Sequence, residues 1–230
     1  ISLAAHTDID WKSALKGVDA FYFSGVTPAV SDEMALCCKQ ALLACREYGI
    51  TTICDLNYRG RMWSPDKAKQ VMSELLPMVD ICIANDEDAP SSLGITHGSG
   101  SLSSGIEERD SYVQIAADVC RDYGCNMVAS VIRDIRSVED SDWMSMVYVG
   151  GTPHFSAVHH VHVLEGVAAG DAYAAGLIHA LLHDFDFDHV SEYAIAASVL
   201  KLTIHGDSNL VKPEEIEAAA VKGSSLRVGR

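Results

Sequence analysis

A run of small residues leads into a predicted helix near residue 170, and one carboxylate stands in the first turn of that helix. The run is Val167-Ala168-Ala169-Gly170-Asp171, and a strongly helix-favouring segment follows as far as Leu182. Backbone N–H groups at a helix N-terminus bind phosphate, and small side chains let ligand atoms approach them. A carboxylate placed there can accept a proton from a hydroxyl group. The segment therefore indicates phosphoryl transfer, although a carboxylate favoured only by the helix dipole would occupy the same position.

Polar residues also follow four predicted strands. In a parallel sheet covered by helices, ligands bind beyond the carboxyl ends of the strands, so these residues are candidates for binding. Arg59 offers a planar charged fork for a carboxylate or phosphate, and an ordinary ion pair with Asp55 is the alternative. The strand-end residues are Ser24-Gly25, the stretch from Asp55 through Asn57 to Arg59, Asn85 to Asp88, and Ser130 with Arg133.

Strands and helices alternate along the chain. Apolar runs predict strands at 20–23, 50–54, 80–84 and 127–132, and capping residues predict helices over 31–49, from 64, and over 110–124. The segment 144–163 predicts two strands joined at Gly150-Gly151. Such alternation predicts an α/β fold with a parallel sheet covered on both faces.

The composition narrows the class of protein. With 230 residues, 48% hydrophobic and 21% charged, the chain is expected to form a single domain over residues 1–230. A formal net charge of -15 disfavours nucleic acid and anionic membrane as partners. No apolar run reaches the roughly 18 residues of a membrane span, and the first residues lack signal-peptide features. The seven cysteines form no CxxC pair, so we expect reduced core thiols in a cytoplasmic protein.

Several segments resemble one family. Ala169-Gly170-Asp171-Ala-Tyr-Ala-Ala-Gly176 is similar to the Gly-Ala-Gly-Asp signature of the ribokinase-like (PfkB) carbohydrate kinases. The resemblance implies a ribokinase-like three-layer α/β/α fold with a mostly parallel central sheet. The segments that are similar to the 2-keto-3-deoxygluconate kinase branch are Phe21–Pro28, Asp55–Arg59 with Met62-Trp63, Leu76–Asn85 and Gly206–Leu210.

The same resemblance implies that a part of the family fold lies upstream of this sequence. Family members carry there the first strand of the core sheet, part of the sugar pocket and a small lid sheet that commonly mediates dimerisation. We therefore expect this chain to be the kinase core without that strand and lid. The sequence does not decide whether the protein forms a homo-oligomer through that lid.

The resemblance also assigns roles to individual residues. Asp171 would be the catalytic base, and the amides of Ala168, Ala169 and Gly170 would form the anion hole. Asn85 and Asp88 would hold Mg²⁺ through water, with a solvated acidic helix start as the alternative. The substrate-binding residues would be Gly25, Asp55, Asn57 and Arg59, and the nucleotide-binding residues would be Asn85, Ser130, Arg133, Gly206 and Asn209. A solvated Arg133 and a plain turn at Gly206–Asn209 are the alternatives for those two places.

The sequence departs from the family signature just before Asp171. Ala168 stands where relatives have glycine, and Glu165-Gly166-Val167 stands where they have Asp followed by Arg or Thr. An alanine at this position would cost about 1 kcal/mol or more if its backbone were left-handed. A distorted anion hole would lower the rate of transfer more than it lowers nucleotide binding.

Three functional hypotheses follow. The first is a kinase that uses ATP and Mg²⁺ to phosphorylate a sugar acid, 2-keto-3-deoxygluconate, to its 6-phosphate. The second is a kinase of the same fold for another sugar, of the fructose or ribose type. The third is a nucleotide-binding core without activity. Zinc is a weaker hypothesis: His159, His160 and His162 lack a further ligand at familiar spacing, which favours solvent-facing histidines on a strand.

Overall fold

The computed structural model divides the chain into two compact units. It describes residues 3–85, 87–98 and 104–222, with side chains as far as residue 220. The first unit comprises residues 1–98 and 113–129, and the second comprises 99–112 and 130–230. Whether residues 1–230 act as a single domain stays a prediction.

The first unit contains a parallel sheet. Its strands are β1 (Ala20–Ser24), β2 (Thr51–Asp55), β3 (Ile81–Ile83) and the first residues of β4 (Met127–Ile135), and they pair in that order. Every residue of β3 and all but the first of β2 are buried, as expected for a parallel sheet covered on both faces. The four strands predicted from apolar runs are therefore confirmed, and β4 is longer than predicted.

Capping residues fix the ends of the helices in this part of the chain. Ser31 Oγ accepts the N–H of Met34 at 3.2 Å, and Gly49 ends the same helix with a left-handed φ of 68°. Ser64 caps the next long helix, and proline follows it at the first helical position. The helices are α1 (Trp11–Ala14), α2 (Val26–Ala29), α3 (Asp32–Tyr48), α4 (Pro65–Leu75), α5 (Asp88–Leu93) and α6 (Arg109–Tyr123), with 3₁₀ turns at His6–Asp8 and Leu76–Met78.

The second unit combines antiparallel strands with helices. Strand β5 (Asp140–Val149) pairs antiparallel with β6 (Thr152–Phe155) and β7 (His159–His162). Gly150 and Gly151, at φ 58° and 85°, make the predicted hairpin turn. The prediction of two strands over 144–163 was incomplete, because the second strand is interrupted after Phe155. The pairing register against β5 shifts by one residue between β6 and β7, as at a β-bulge.

The helices of this unit are α7 (Ala169–Leu182), α8 (Phe187–Lys201) and α9 (Pro213–Lys222). Helices α7 and α8 approach closely because small residues face each other. A Cβ atom at Gly176 would lie 2.8 Å from the Cβ of Ala197. This contact fixes the position of the N-terminus of α7, where Asp171 lies.

The seven cysteines form no disulfide, as expected. Six of them are buried, and Cys120 is partly exposed. Burial raises the pKa of the Cys54 thiol, which keeps it protonated. Within the part of the chain that the structure describes, no helix is both long and apolar enough to cross a membrane.

Candidate active site

The strand ends of the first unit bring five of the predicted site residues together. Because β1, β2 and β3 are parallel and in register, Ser24 lies beside Asp55 and Asp55 beside Ile83. The Nδ2 atom of Asn57 donates a hydrogen bond to Ser24 Oγ at 3.0 Å. Gly25, Asp55, Asn57, Asn85 and Asp88 therefore cluster at one edge of this sheet.

Gly25 lies where the backbones of two segments nearly touch. Its N–H donates to the carbonyl of Asp55 at 2.7 Å, and a Cβ atom would lie 2.1 Å from the carbonyl oxygen of Leu56. A side chain cannot fit in that space without moving the backbone. The glycine is thus required by packing, and its predicted role in substrate binding stays a prediction.

Asn57 has a positive φ of 39°. Asparagine is among the residues that tolerate this region, and sparsely populated backbone conformations gather at functional sites. Its neighbour Arg59 is exposed, and the Arg59 Nη1 atom donates to the carbonyl of Tyr58 at 3.1 Å. Asp55, in contrast, is only 7% exposed.

Asp88 lies partly buried at the start of α5, beside Tyr58. Burial raises the pKa of its carboxyl group, and a hydrogen bond from the Tyr58 N–H at 2.9 Å opposes that effect. Its second oxygen accepts a long hydrogen bond from Asn85 at 3.5 Å.

These contacts bear on the predicted magnesium site. No group of three or more His, Cys, Asp or Glu side chains suited to a metal ion occurs among the described residues. Mg²⁺ usually keeps several of its waters, so Asn85 and Asp88 fit a hydrated ion held through water and do not form a protein cage.

In the second unit, the predicted anion hole lies at the start of α7. Ala168 has φ 61° and ψ 14°, so the residue that replaces the family glycine does have a left-handed backbone. No side chain caps the helix, and its first backbone hydrogen bond runs from Ala172 N–H to Ala168 C=O at 2.9 Å. The amides of Ala169, Gly170 and Asp171 therefore precede the first helical hydrogen bond.

Open space surrounds this helix start within its own unit. A Cβ atom at Gly170 would meet no atom within 4 Å, and both Gly170 and Asp171 are exposed. The uncapped amides can hold an anion, and the exposed carboxylate beside them can accept a proton.

Helix α7 is fastened to the strands of the second unit through Tyr173. The hydroxyl of Tyr173 contacts Ser145 Oγ at 2.8 Å and donates to the carbonyl of Ser130 at 3.4 Å. Ser130 is 1% exposed, so its side chain lies inside the unit. Arg133 stacks on Trp143, with 5.9 Å between the guanidinium carbon and the ring centroid, and is not simply solvated.

A cleft of about 240 Å³ lies along α7. Asn209 lines this cleft and donates a long hydrogen bond to the Ala197 carbonyl at 3.4 Å. Gly206, with a φ of 83°, is not among the described residues that line the cleft. Burial lowers the pKa of His179, whose ring stacks on Tyr193 with 5.1 Å between centroids. The lining residues are Ala172, Ala175, Gly176, His179, Tyr193, Ala197, Asn209, Val211, Pro213 and Ile216.

The sequence patterns did not predict the cleft residues on α7 and α8. The signal was available in the spacing of Ala172, Ala175, Gly176 and His179, which puts all four on one helix face. That face carries small residues, and small residues in a helix are more readily interpreted as packing than as the wall of a binding site.

The three strand histidines lie as the alternation of a strand requires. His160 and His162 are exposed and pair across the strands with Asp142 and Asp140. The hydrogen bond with Asp140 raises the pKa of His162. His159 faces the opposite side and is 6% exposed, so the expectation of solvent-facing histidines was wrong for this residue.

A model of the pfkB family of carbohydrate kinases matches residues 2–214. The chain belongs to this family. The predicted family is thus confirmed.

Among pfkB relatives, 2-dehydro-3-deoxygalactonokinase of Haloferax volcanii is 28% identical over 211 residues, which cover 92% of this chain and 59% of the relative. The crystal structure of 2-dehydro-3-deoxygluconokinase from Thermotoga maritima superposes with a TM-score of 0.89 at 40% identity, covering 96% of this chain and 65% of that one. A pfkB family carbohydrate kinase from Listeria grayi gives a TM-score of 0.85 at 26% identity, with 96% and 66% covered. These likenesses confirm the predicted ribokinase-like three-layer α/β/α fold.

The chain spans about three fifths of the length of the first two pfkB relatives. The match to the family model, over residues 2–214, includes the strand-end cluster of the first unit and the start of α7.

Proposed function

We propose that the protein transfers the γ-phosphoryl group of ATP to a hydroxyl group of a 2-dehydro-3-deoxy sugar acid. The observation that carries the proposal is the start of α7, where an exposed Asp171 stands beside amides that no side chain caps. Membership of a carbohydrate kinase family supports it.

The proposed chemistry uses two features of this helix start. Asp171 accepts the proton of the sugar hydroxyl while the hydroxyl oxygen bonds to the γ-phosphorus. The bond from that phosphorus to the β-γ bridging oxygen breaks, which releases ADP. The amides of Ala168, Ala169 and Gly170, with that of Asp171, donate to the phosphoryl oxygens, on which negative charge is concentrated. The helix dipole adds to that stabilisation.

The nucleotide base would occupy the 240 Å³ cleft along α7. Small side chains at Ala172, Gly176 and Ala197 leave room for a flat ring, and the Asn209 amide supplies a polar group at the edge. The roles of Ser130, Arg133 and Gly206 in nucleotide binding remain part of this proposal.

Asn85 and Asp88 would hold a hydrated Mg²⁺ ion, which neutralises phosphate charge when bound. Arg59 would bind the carboxylate of the sugar acid, because its exposed guanidinium can form two parallel hydrogen bonds with a carboxylate. Gly25, Asp55 and Asn57 would shape that part of the substrate site.

The names of two relatives, 2-dehydro-3-deoxygluconokinase and 2-dehydro-3-deoxygalactonokinase, support this substrate class. We propose the gluconate compound, also called 2-keto-3-deoxygluconate, as the substrate and its 6-phosphate as the product.

One observation favours a second candidate, a core that binds nucleotide without transferring phosphate. Ala168 carries a left-handed backbone without the glycine that would relieve it. If the strain turns the neighbouring amides away from the phosphoryl group, nucleotide would still bind in the cleft and transfer would be slow.

Replacing Asp171 with Asn tests the kinase proposal. We expect the variant to lose turnover by at least about a thousandfold while its affinity for ATP stays within about twofold, because the amide cannot take the proton. Asp110→Asn is the matched control, since Asp110 is also an exposed carboxylate in the first turn of a helix. Phosphorylated product is detected by mass spectrometry and ATP affinity by calorimetry.

A panel of acceptors completes this experiment. Product from 2-keto-3-deoxygluconate or its galactonate epimer would support the sugar-acid assignment, and product from fructose or ribose alone would replace it. ATP binding without product from any acceptor would favour the second candidate. Equal loss of turnover in the Asp171 and Asp110 variants would remove the proposed role of Asp171.

A further inference from the structure

We propose that Lys201 is a positioning residue for phosphoryl transfer, an inference that rests on the proposed function. Lys201 is the last residue of α8, and its side chain is fully buried at 0% exposure. Removing an ammonium group from water is unfavourable unless hydrogen bonds and charges compensate. A lysine buried to this extent calls for a role other than packing.

The ammonium group closes the turn that follows α8. Lys201 Nζ donates to the carbonyl of Ile204 at 3.0 Å, and the Ile204 N–H donates back to the Lys201 carbonyl at 3.0 Å. A positive charge at a helix C-terminus also interacts favourably with the helix dipole. The turn is therefore held from both sides by one residue.

That turn holds the loop that leads to the anion hole. The carbonyl of Leu202 accepts the N–H groups of Leu164 at 2.8 Å and Glu165 at 3.1 Å. These residues precede Ala168 by only a few positions. The orientation of the Leu202 carbonyl thus determines where the loop before α7 lies.

The same end of α8 also holds the other side of Ala168. Ser198 Oγ donates to the carbonyl of Ala169 at 2.9 Å, and Ser198 lies three residues before Lys201 on the same helix face. The left-handed Ala168 is consequently held between two attachments to α8. Such restraint is needed because an alanine does not favour this conformation by itself.

Loss of the charge should then affect the reaction and not the fold. Without the ammonium group, the turn and the Leu202 carbonyl gain freedom, and the loop transmits that freedom to the amides at the start of α7. Phosphoryl transfer depends on the position of these groups, so kcat should fall while nucleotide affinity is retained. Removing the ammonium group also removes its desolvation cost, which opposes the loss of the hydrogen bond to the Ile204 carbonyl.

Lys201→Met, which keeps the length of the side chain, tests this inference, with Lys16→Met as the control at an exposed lysine. We expect kcat to fall by at least about tenfold, the KM for ATP to stay within about twofold, and Tm to be unchanged or higher. Amide hydrogen exchange over residues 163–172 should become faster in Lys201→Met and stay unchanged in Lys16→Met. Lys201→Arg, which retains the charge, should keep more activity than Lys201→Met.

Unchanged kcat and unchanged exchange in Lys201→Met would overturn the inference. A lower Tm with exchange accelerated throughout the second unit would assign Lys201 to folding alone. If the wild-type protein transfers no phosphate, the proposed function fails, and the exchange over 163–172 still reports whether Lys201 restrains the loop.

Discussion

Asn57 and Ala168 both have positive φ angles at positions that the sequence places in the site. Asparagine adopts this region several times more often than other residues, and the Asn57 side chain is also held by Ser24. Alanine has neither advantage, because its Cβ approaches the following carbonyl group in the left-handed conformation. Of these two residues, Ala168 therefore carries the greater backbone strain.

Ala168→Gly should stabilise the protein by about 1 kcal/mol, since glycine adopts the left-handed region without the steric cost. The free energy of unfolding, measured with urea, tests this expectation. A stability equal to or lower than that of the wild type would show that Ala168 is not strained.

Ala175→Gly serves as the control of opposite sign. Ala175 is an exposed residue inside α7, where glycine lowers stability by roughly 0.8–1 kcal/mol. Opposite shifts in the two variants would separate the effect of the backbone conformation from the general effect of glycine on the unfolded chain.

At the scale of elements, the contact between α7 and α8 decides where the start of α7, the site proposed for phosphoryl transfer, lies. Its closest approach is at Gly176 and Ala197, and Ser198 adds a hydrogen bond to the Ala169 carbonyl. Two helices packed on such small residues cannot shift far without losing contact, because protein interiors are close-packed.

Gly176→Ala should destabilise the protein by about 1–3 kcal/mol, because the added methyl group would overpack this contact. Thermal unfolding measures the effect. Gly170→Ala is the matched control on the same helix, where the added Cβ meets no atom within 4 Å. The contact is looser than described if both variants unfold at the wild-type temperature.

At the scale of the whole molecule, charge is the dominant feature. The chain has 32 Asp and Glu against 17 Lys and Arg, a net charge of -15. Many like charges on one folded chain repel each other and destabilise the compact state. Binding of the proposed anionic substrate would then depend on local groups such as the amides of α7, because the overall field opposes it.

Added salt should therefore stabilise the folded protein. Raising NaCl from 10 to 200 mM (about a fourfold shorter Debye length) should raise Tm by roughly 2–4 °C, since screening weakens the repulsion. Exposed ion pairs such as Lys67–Asp32 also weaken in salt, but each contributes little. A Tm that falls with salt would mean that attractive pairs outweigh the net charge.

The sequence by itself determined the four parallel strands, the caps of the long helices and the family. Apolar runs mark buried strands, and Ser31, Ser64 and Gly49 specify helix ends through local hydrogen bonds and backbone preferences. The helix start at Asp171 was predictable for the same reason, because its signal lies in a few adjacent residues.

Only the tertiary structure decided the features that depend on contacts between distant residues. The left-handed Ala168, the Tyr58 N–H that holds Asp88, and the close packing at Gly176 arise from segments that meet in space. Lys201 is the clearest case, since no local pattern distinguishes a buried lysine at a helix end from an exposed one. Burial is set by the elements that pack around a residue, and those lie far away along the chain.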